Sequence, residues 1–488
     1  MKKIHLIRLA IAALLAMMML VGCGGNTQPK GVTFDAKNPV YLRLWHYYNG
    51  PQKQAFDEMI AQFNDTIGNQ KGIVVEAFGH GSIADLMNQV LNAAEKKVGA
   101  ENIPDIFSAY ADTAQQIDQM GLVADLAPYM TVEELAEYVP AYITEGELGT
   151  KNCFKIFPVA KSTEIMMLNK TDWEPFAKAT GVTLESLSTM EGLVQTAKTY
   201  YEWTDAQTPL QNDGKAFWGR DSMANYFIVG CKQLGVEIFD VKDGKVTFNT
   251  DKAVLRRLWD HYYIPSLNGW FGAYGRFRSD DAKTGNILAL VGSSSGTAYF
   301  PDRVTISDTE SYAIESLALP APYFEGGEKV AIQQGAGMVV TKSDINREYA
   351  ASIFLKWITE TERNMRFSIA TGYLPVKVEA NDVSKIQAMA KTMDNKGALE
   401  KIMTAIPTSI QTVTENELYT NQAFFNGNNA RKVLESSMRD FLANDLKEVD
   451  TLIASGMSRN EAATQVATNQ KFETWYDEFT QALQESIR

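Results

Sequence analysis

The chain has 488 residues, with 46 Lys plus Arg against 59 Asp plus Glu and a formal net charge of −13. Apolar residues are 45% and charged residues 22%, which excludes a disordered chain, a collagen-like repeat and a polytopic membrane protein, and the acidic excess argues against nucleic-acid binding. The length points to two large lobes, while three cysteines cannot build a disulfide framework and four histidines limit the available chemistry.

The N-terminus carries Lys2, Lys3 and Arg8 without an acid, then twelve wholly apolar residues at 9–20. That run is short for a bilayer-spanning helix and fits a secretory signal. It ends in Leu20-Val21-Gly22-Cys23, which resembles the lipobox of bacterial lipoproteins. The resemblance implies a signal peptide over 1–22 and a lipid-modified Cys23 held at the membrane. An ordinary secretion signal with an incidental cysteine is the alternative. Residues 23–37 read as a polar tether. Cys153 and Cys231 sit among apolar neighbours and are expected as buried free thiols.

Along the remaining chain, strands and helices alternate. Residues 40–45 form a strand, and 51–64 place Phe56, Met59, Ile60 and Phe63 on one helical face. Residues 73–78 are a second strand, and Ser82 can cap the next helix. Residues 104–110 are a third strand, followed by a helix that Gly121 stops. This order predicts a mainly parallel sheet with helices on both faces. A strand at 165–168 and helices at 189–203 and 225–234 follow. From about residue 397 the chain is mostly helical, with apolar spacing over 430–446 and 460–487.

Five segments together resemble a known family. They are Pro104-Asp105-Ile106-Phe107-Ser108-Ala109-Tyr110 with Gly121-Leu122-Val123-Ala124-Asp125-Leu126; Phe157-Pro158-Val159-Ala160-Lys161-Ser162-Thr163-Glu164 with Asn169-Lys170; Gly285-Asn286-Ile287-Leu288-Ala289-Leu290-Val291-Gly292-Ser293-Ser294-Ser295-Gly296; Gln334-Gly335-Ala336-Gly337; and Thr371-Gly372-Tyr373-Leu374-Pro375-Val376. In this order they resemble the extracellular solute-binding proteins of ABC importers, sugar-binding class. The resemblance implies an α/β, two-lobed periplasmic-binding-protein-like fold of type II, with discontinuous lobes and a ligand cleft between them. Lobe one would be 38–157 and 286–330, and lobe two 158–285 and 331–488. It implies no enzyme activity, no cofactor and no metal. The implied partners are a carbohydrate and the membrane subunits of a permease, the protein acting as a monomer on the outer face of the cytoplasmic membrane. Glycerol-phosphate binders of this class carry an arginine in a late ligand loop. Here that loop reads Ala423-Phe424-Phe425-Asn426-Gly427-Asn428-Asn429, which favours a neutral ligand.

The residues themselves fit a sugar site. Aromatic rings cover the C–H faces of a sugar, and Asp, Asn and Ser pair with its hydroxyls. Ligands of open α/β sheets lie beyond the carboxyl ends of strands, which selects Trp45, Tyr47, Tyr110 and Asp112. Glycine-flanked aromatic loops add Trp218 and Trp270. The family segments add Ser162, Thr163, Ser294, Ser295, Gly335 and Tyr373, and Ser82 completes the expected ligand set. Core packing is the alternative for each aromatic, in equal balance for Trp45 and Phe217. Helix capping or a satisfied turn is the alternative for Ser162, Ser294 and Ser295.

Enzymatic motifs fail on inspection. Gly292-Ser293-Ser294-Ser295-Gly296 matches G-x-S-x-G, but a hydrolase of that type needs its histidine after the serine, and the last histidine is His261. No P-loop or zinc-binding spacing is present, and Asp240-Val241-Lys242-Asp243-Gly244-Lys245 reads as a hairpin turn. A surface glycoside hydrolase remains the competing class, since the chain is rich in carboxylates, and a glycerol-phosphate-type polyol remains the competing ligand.

Overall fold

The computed structural model describes residues 29, 31–242, 244–393 and 396–488. The expected signal and Cys23 lie outside the described residues. Strand β1 (Val40–His46) leads to helix α1 (Gly50–Phe63), β2 (Ile73–Gly79), α2 (Ile83–Ala94), β3 (Ile106–Ala109) and α3 (Ala111–Gln119). Phe56, Ile60 and Phe63 are the buried stripe of α1, as the i, i+4, i+7 spacing requires. β1 pairs in parallel with both β2 and β3. Three carboxyl ends therefore open on one edge of this sheet.

The chain then crosses into a second body. β4 (Glu164–Asn169), α4 (Met190–Asp205), β5 (Trp218–Arg220), α5 (Met223–Gln233), the hairpin β6 (Phe239–Lys242) and β7 (Lys245–Phe248), β8 (Ala289–Ser293) and β9 (Ser316–Pro320) all belong to it. Its sheet runs β9-β4-β8-β5. β5 and β8 are the one parallel pair; β4 is antiparallel to both β8 and β9, so β9 runs in the direction of β5 and β8. The expectation of a mainly parallel sheet thus holds for lobe one alone.

β10 (Val330–Ile332) leads back across, and β11 (Gly337–Val340) joins the first sheet antiparallel to β3. The long helix α6 (Lys396–Glu415) precedes β12 (Glu417–Tyr419), which pairs with β10. The C-terminal helices α7 (Gly427–Ala454), α8 (Arg459–Val466) and α9 (Asn469–Ser486) complete lobe two. Thr468 caps α9 through Lys471 N, so the pattern over 460–487 is two helices rather than one.

The core of lobe one draws on residues 42–160 and 338–376. That of lobe two draws on 166–332 and 424–483. This corrects two segment assignments. The stretch 286–330 belongs to lobe two, because β8 is hydrogen-bonded between β4 and β5. The start of 331–488 belongs to lobe one, because β11 pairs with β3 and Phe354 packs in its core. The tether is also shorter than expected. Val32 is buried, Thr33 N donates to Asn346 Oδ1 at 3.1 Å, and Phe34 stacks on Tyr349.

Cys153 and Cys231 are both free thiols; Cys231 is buried and Cys153 half-buried. No helix of the described residues is long and apolar enough to cross a membrane.

Candidate ligand cleft between the lobes

Tyr47 follows β1, and Tyr110 and Asp112 follow β3 at the start of α3. Facing them is the first turn of α7. A Cβ built on Gly427 would lie 2.6 Å from Asp112 Oδ1, so a larger residue here would have to push the carboxylate aside. Beside it Asn428 Nδ2 donates to Thr113 Oγ1 at 3.5 Å. The lobes meet here around a cavity of about 130 Å³. Lobe one lines it with Tyr110, Asp112 and Glu145, lobe two with Asn225, Asn428 and Arg431, and the crossing segment with Gln333 and Gln334.

The two sides differ in charge. Burial pushes the Asp112 carboxyl up to about 6, although Arg431 pulls the other way. Asp112 Oδ1 is buried without a hydrogen-bond partner among the described residues, a group whose desolvation a bound hydroxyl would offset. Arg431 donates to Asn225 Oδ1. Asn225 Nδ2 donates to Glu164 Oε1 at 2.8 Å, and the other Glu164 oxygen accepts from Arg220. This chain of charge-assisted bonds fixes the guanidinium that faces the cavity. Ser222 Oγ and Ala224 N donate to Glu435 Oε2 at 3.2 and 2.9 Å, locking α5 to α7. On the other side, buried Lys161 donates to Glu145 and to Gly335 O, the latter at 2.9 Å.

Next to Tyr110 the hydroxyls of Tyr47 and Tyr373 lie 3.0 Å apart. Ser295 of lobe two lies beside Tyr373, for a Cβ built on Gly372 would sit 3.3 Å from the Ser295 Cα. Burial holds the Tyr47 and Tyr373 phenols well above their usual range, so they stay neutral. Beyond the Ser293–Ser295 turn, a cavity of about 610 Å³ in lobe two is lined by Asp221, Ser293, Phe277 and Tyr299. The last two expose more than half of their surface, at 53% and 58%.

The family described as bacterial extracellular solute-binding protein matches residues 58–395. This chain belongs to that family. Among solved structures, the cyclic alpha-maltosyl-1,6-maltose binding protein of Arthrobacter globiformis is similar over 92% of this chain and 99% of that one, with TM-score 0.64 and 18% identity. UgpB of Mycobacterium tuberculosis, in complex with glycerophosphocholine, is similar over 90% and 100%, with TM-score 0.62 and 14% identity. The GacH receptor of Streptomyces glaucescens GLA.O, solved unliganded and with acarbose, is similar over 91% and 98%, with TM-score 0.61 and 16% identity. These likenesses show the two-lobed fold. No curated protein matches the chain.

Within this solute-binding protein the expected site residues separate. Tyr110 and Asp112 line the interlobe cavity, and Tyr47, Tyr373 and Ser295 meet beside it. Ser162 exchanges backbone hydrogen bonds with Gln334 at the crossing. Ser294 N donates to Thr163 O at 2.8 Å, and both residues are buried in the hinge region. Gly335 has φ +95, and a Cβ there would meet Ala160 O at 2.5 Å. It serves the close crossing of two segments.

Four residues lie elsewhere. Ser82 caps α2 and donates to Asp85 Oδ2 at 2.6 Å, so its hydroxyl is already used. Trp45 is 1% exposed, in the lobe-one core against the His80 ring. Trp218 is fully buried against Phe271, 4.7 Å between centroids. Trp270 packs on the lobe-two core beneath Lys198 of α4 and lines none of the described cavities. The cause is its backbone: Trp270 N donates to Pro265 O, and Trp270 O accepts from Phe217 N. Those bonds turn the ring toward α4. Glycine neighbours here serve tight chain packing, and the aromatic side chains they flank are core.

Sequence reasoning missed Glu145, Asn225, Gln333, Asn428 and Arg431. Arg431 matters most, because it supplies the cation that the loop 423–429 lacks. It lies four residues after Gly427, one helical turn inside α7, and its place on the cavity depends on how α7 docks, which leaves no local signal in the sequence.

Proposed function

We propose that this chain is the ligand-capturing subunit of an ABC importer for a hydroxylated solute, a mono- or oligosaccharide. The observation that carries this reading is the interlobe cavity, where Tyr110 and Asp112 of one lobe face Asn225, Asn428 and Arg431 of the other. Neutral phenols, amides and a carboxylate suit the mixed donor and acceptor pattern of a sugar. Phe277 and Tyr299 extend the apolar surface away from the cleft, enough for further rings. Similar folds whose bound or named ligands are maltosyl sugars and acarbose support the same class. Binding draws the lobes together about the crossing segments, and the closed form is presented to a separate permease. Cys23 carries the lipid that keeps the monomer at the outer face of the membrane. The protein performs no chemistry of its own.

A second ligand reading follows from Arg431. A guanidinium held in the cleft suits a phosphodiester as well as a hydroxyl, and a similar fold holds glycerophosphocholine. The argument for a neutral ligand from the loop 423–429 therefore loses its premise. A thermal-shift panel of maltooligosaccharides, cyclic glucans, glycerol phosphate and glycerophosphocholine separates the two, because a ligand of the folded state alone raises the midpoint. The saccharide reading predicts a rise with a sugar and none with the phosphodiester. Hydrolysis of a chromogenic glycoside would contradict both.

A further inference from the structure

Lobe two holds another cavity, of about 420 Å³, which adjoins the interlobe site at Ile332 of β10. It lies within the size range of small-molecule pockets and is far larger than the gaps a packed core tolerates. Leu187 and Pro322 form an apolar wall, and Thr412 at the end of α6 offers a hydroxyl. Its lining includes the ion pair of Glu164 and Arg220, which are 4% and 7% exposed. Exposed Glu185, Lys329 and Glu415 also line it.

This lining selects a type of guest. Three carboxylates stand against two cations, so an anionic guest gains no net attraction, and neutral hydroxyls are the groups that both signs can hold. Hydroxyl groups can donate to Glu164, to Glu415 and to the Thr412 oxygen, whose own proton goes to Thr408 O, and can accept from Arg220. The apolar wall suits the C–H face of a ring. Ile332 lines this cavity and the interlobe cavity alike, so an occupant would lie directly against a hinge strand. Glu164 faces the same way, for its second oxygen holds Asn225 of the cleft.

We propose that this cavity is a second binding site, for a compact neutral polyol ring of monosaccharide or cyclitol type. The proposal stands whatever the cleft binds. It is tested by equilibrium dialysis of D-glucose and of myo-inositol against the full-length protein with its cleft disabled by Tyr110→Ala and Arg431→Ala. One equivalent of at least one probe should remain bound. Ser188→Trp, which fills the cavity from its wall, should abolish that binding. Thr412→Val keeps the side-chain shape and removes the hydroxyl, and should weaken binding about three- to tenfold. Should Ser188→Trp fail to fold by circular dichroism, Thr412→Val decides alone. No bound probe in the cleft-disabled protein, or binding that Thr412→Val leaves unchanged, overturns the proposal.

Discussion

The two lobes reach the cleft by different means. Lobe one is built on three parallel strands, so the residues after β1 and β3 emerge side by side and bring Tyr47, Tyr110 and Asp112 together. In lobe two β5, β8 and β9 run the same way, and β4 runs against them from the middle of the sheet, pairing with both β8 and β9. Lobe two supplies Asn225 from the first turn of α5 and Arg431 from one turn inside α7 instead. One face therefore offers phenols and carboxylates, and the other offers amides and a guanidinium. Closure brings complementary groups into contact, and a solute between them can pair with both.

That contrast can be broken at several points. The largest effect should come from Arg220→Ala, which leaves buried Glu164 without its ion-pair partner and with only the Asn225 amide as a donor. Loss of one partner of such a pair destabilises by about 3–5 kcal/mol, and urea denaturation should show it. Next is Arg431→Ala, expected to weaken solute binding by about 2 kcal/mol or more, with Tyr110→Ala at the lower end of the same scale. Titration calorimetry measures both, and a loss confined to one variant would mean that one lobe alone holds the ligand.

The lobes should also differ in their response to pH. His46 in lobe one is held down to about 4, chiefly by burial, and its Nδ1 accepts from Tyr48 N. Below its unfolded value near 6.5 the unfolded chain takes up the proton first. Lobe one should thus lose about 2 kcal/mol between pH 7 and 5, a loss that His46→Gln removes. Asp112 has the opposite sign. Its carboxyl sits at about 6, above the ordinary 3.8, so its contribution is fully present below 3.8 and is lost as pH rises through 6. From pH 7 to 5 the closed form should gain about 1 kcal/mol. The difference in melting between wild type and Asp112→Asn across that range isolates it. The smallest effect belongs to Trp270→Ala, which should change solute binding less than about twofold, because the ring packs under Lys198 and outside any O-ring around the ligand.

Much of the architecture was legible in the sequence because local periodicity was strong. The strands at 40–46, 73–79 and 106–109 and the helices between them follow from apolar spacing and capping alone. Strand-end reasoning found Tyr47, Tyr110 and Asp112, since it rests on a property of parallel sheets. The same reasoning failed for Trp45, which lies within β1 rather than beyond it. The glycine-flanked loops misled at Trp218 and Trp270, where the glycines serve close packing: a Cβ on Gly219 would lie 2.6 Å from Gly272 O. The exchange of segments between the lobes was hidden because strand partners far apart in sequence leave no local signal. Arg431 was hidden for a related reason, as its role depends on α7 docking against α3.

The most direct test of the account is titration calorimetry of the solute identified by the thermal-shift panel against wild type, Tyr110→Ala, Arg431→Ala and the double variant. Capture between two lobes predicts that each single change weakens binding and that the double variant binds no more tightly than the weaker single one. Wild-type affinity in both single variants, with the fold intact, would place the ligand outside the cleft described here.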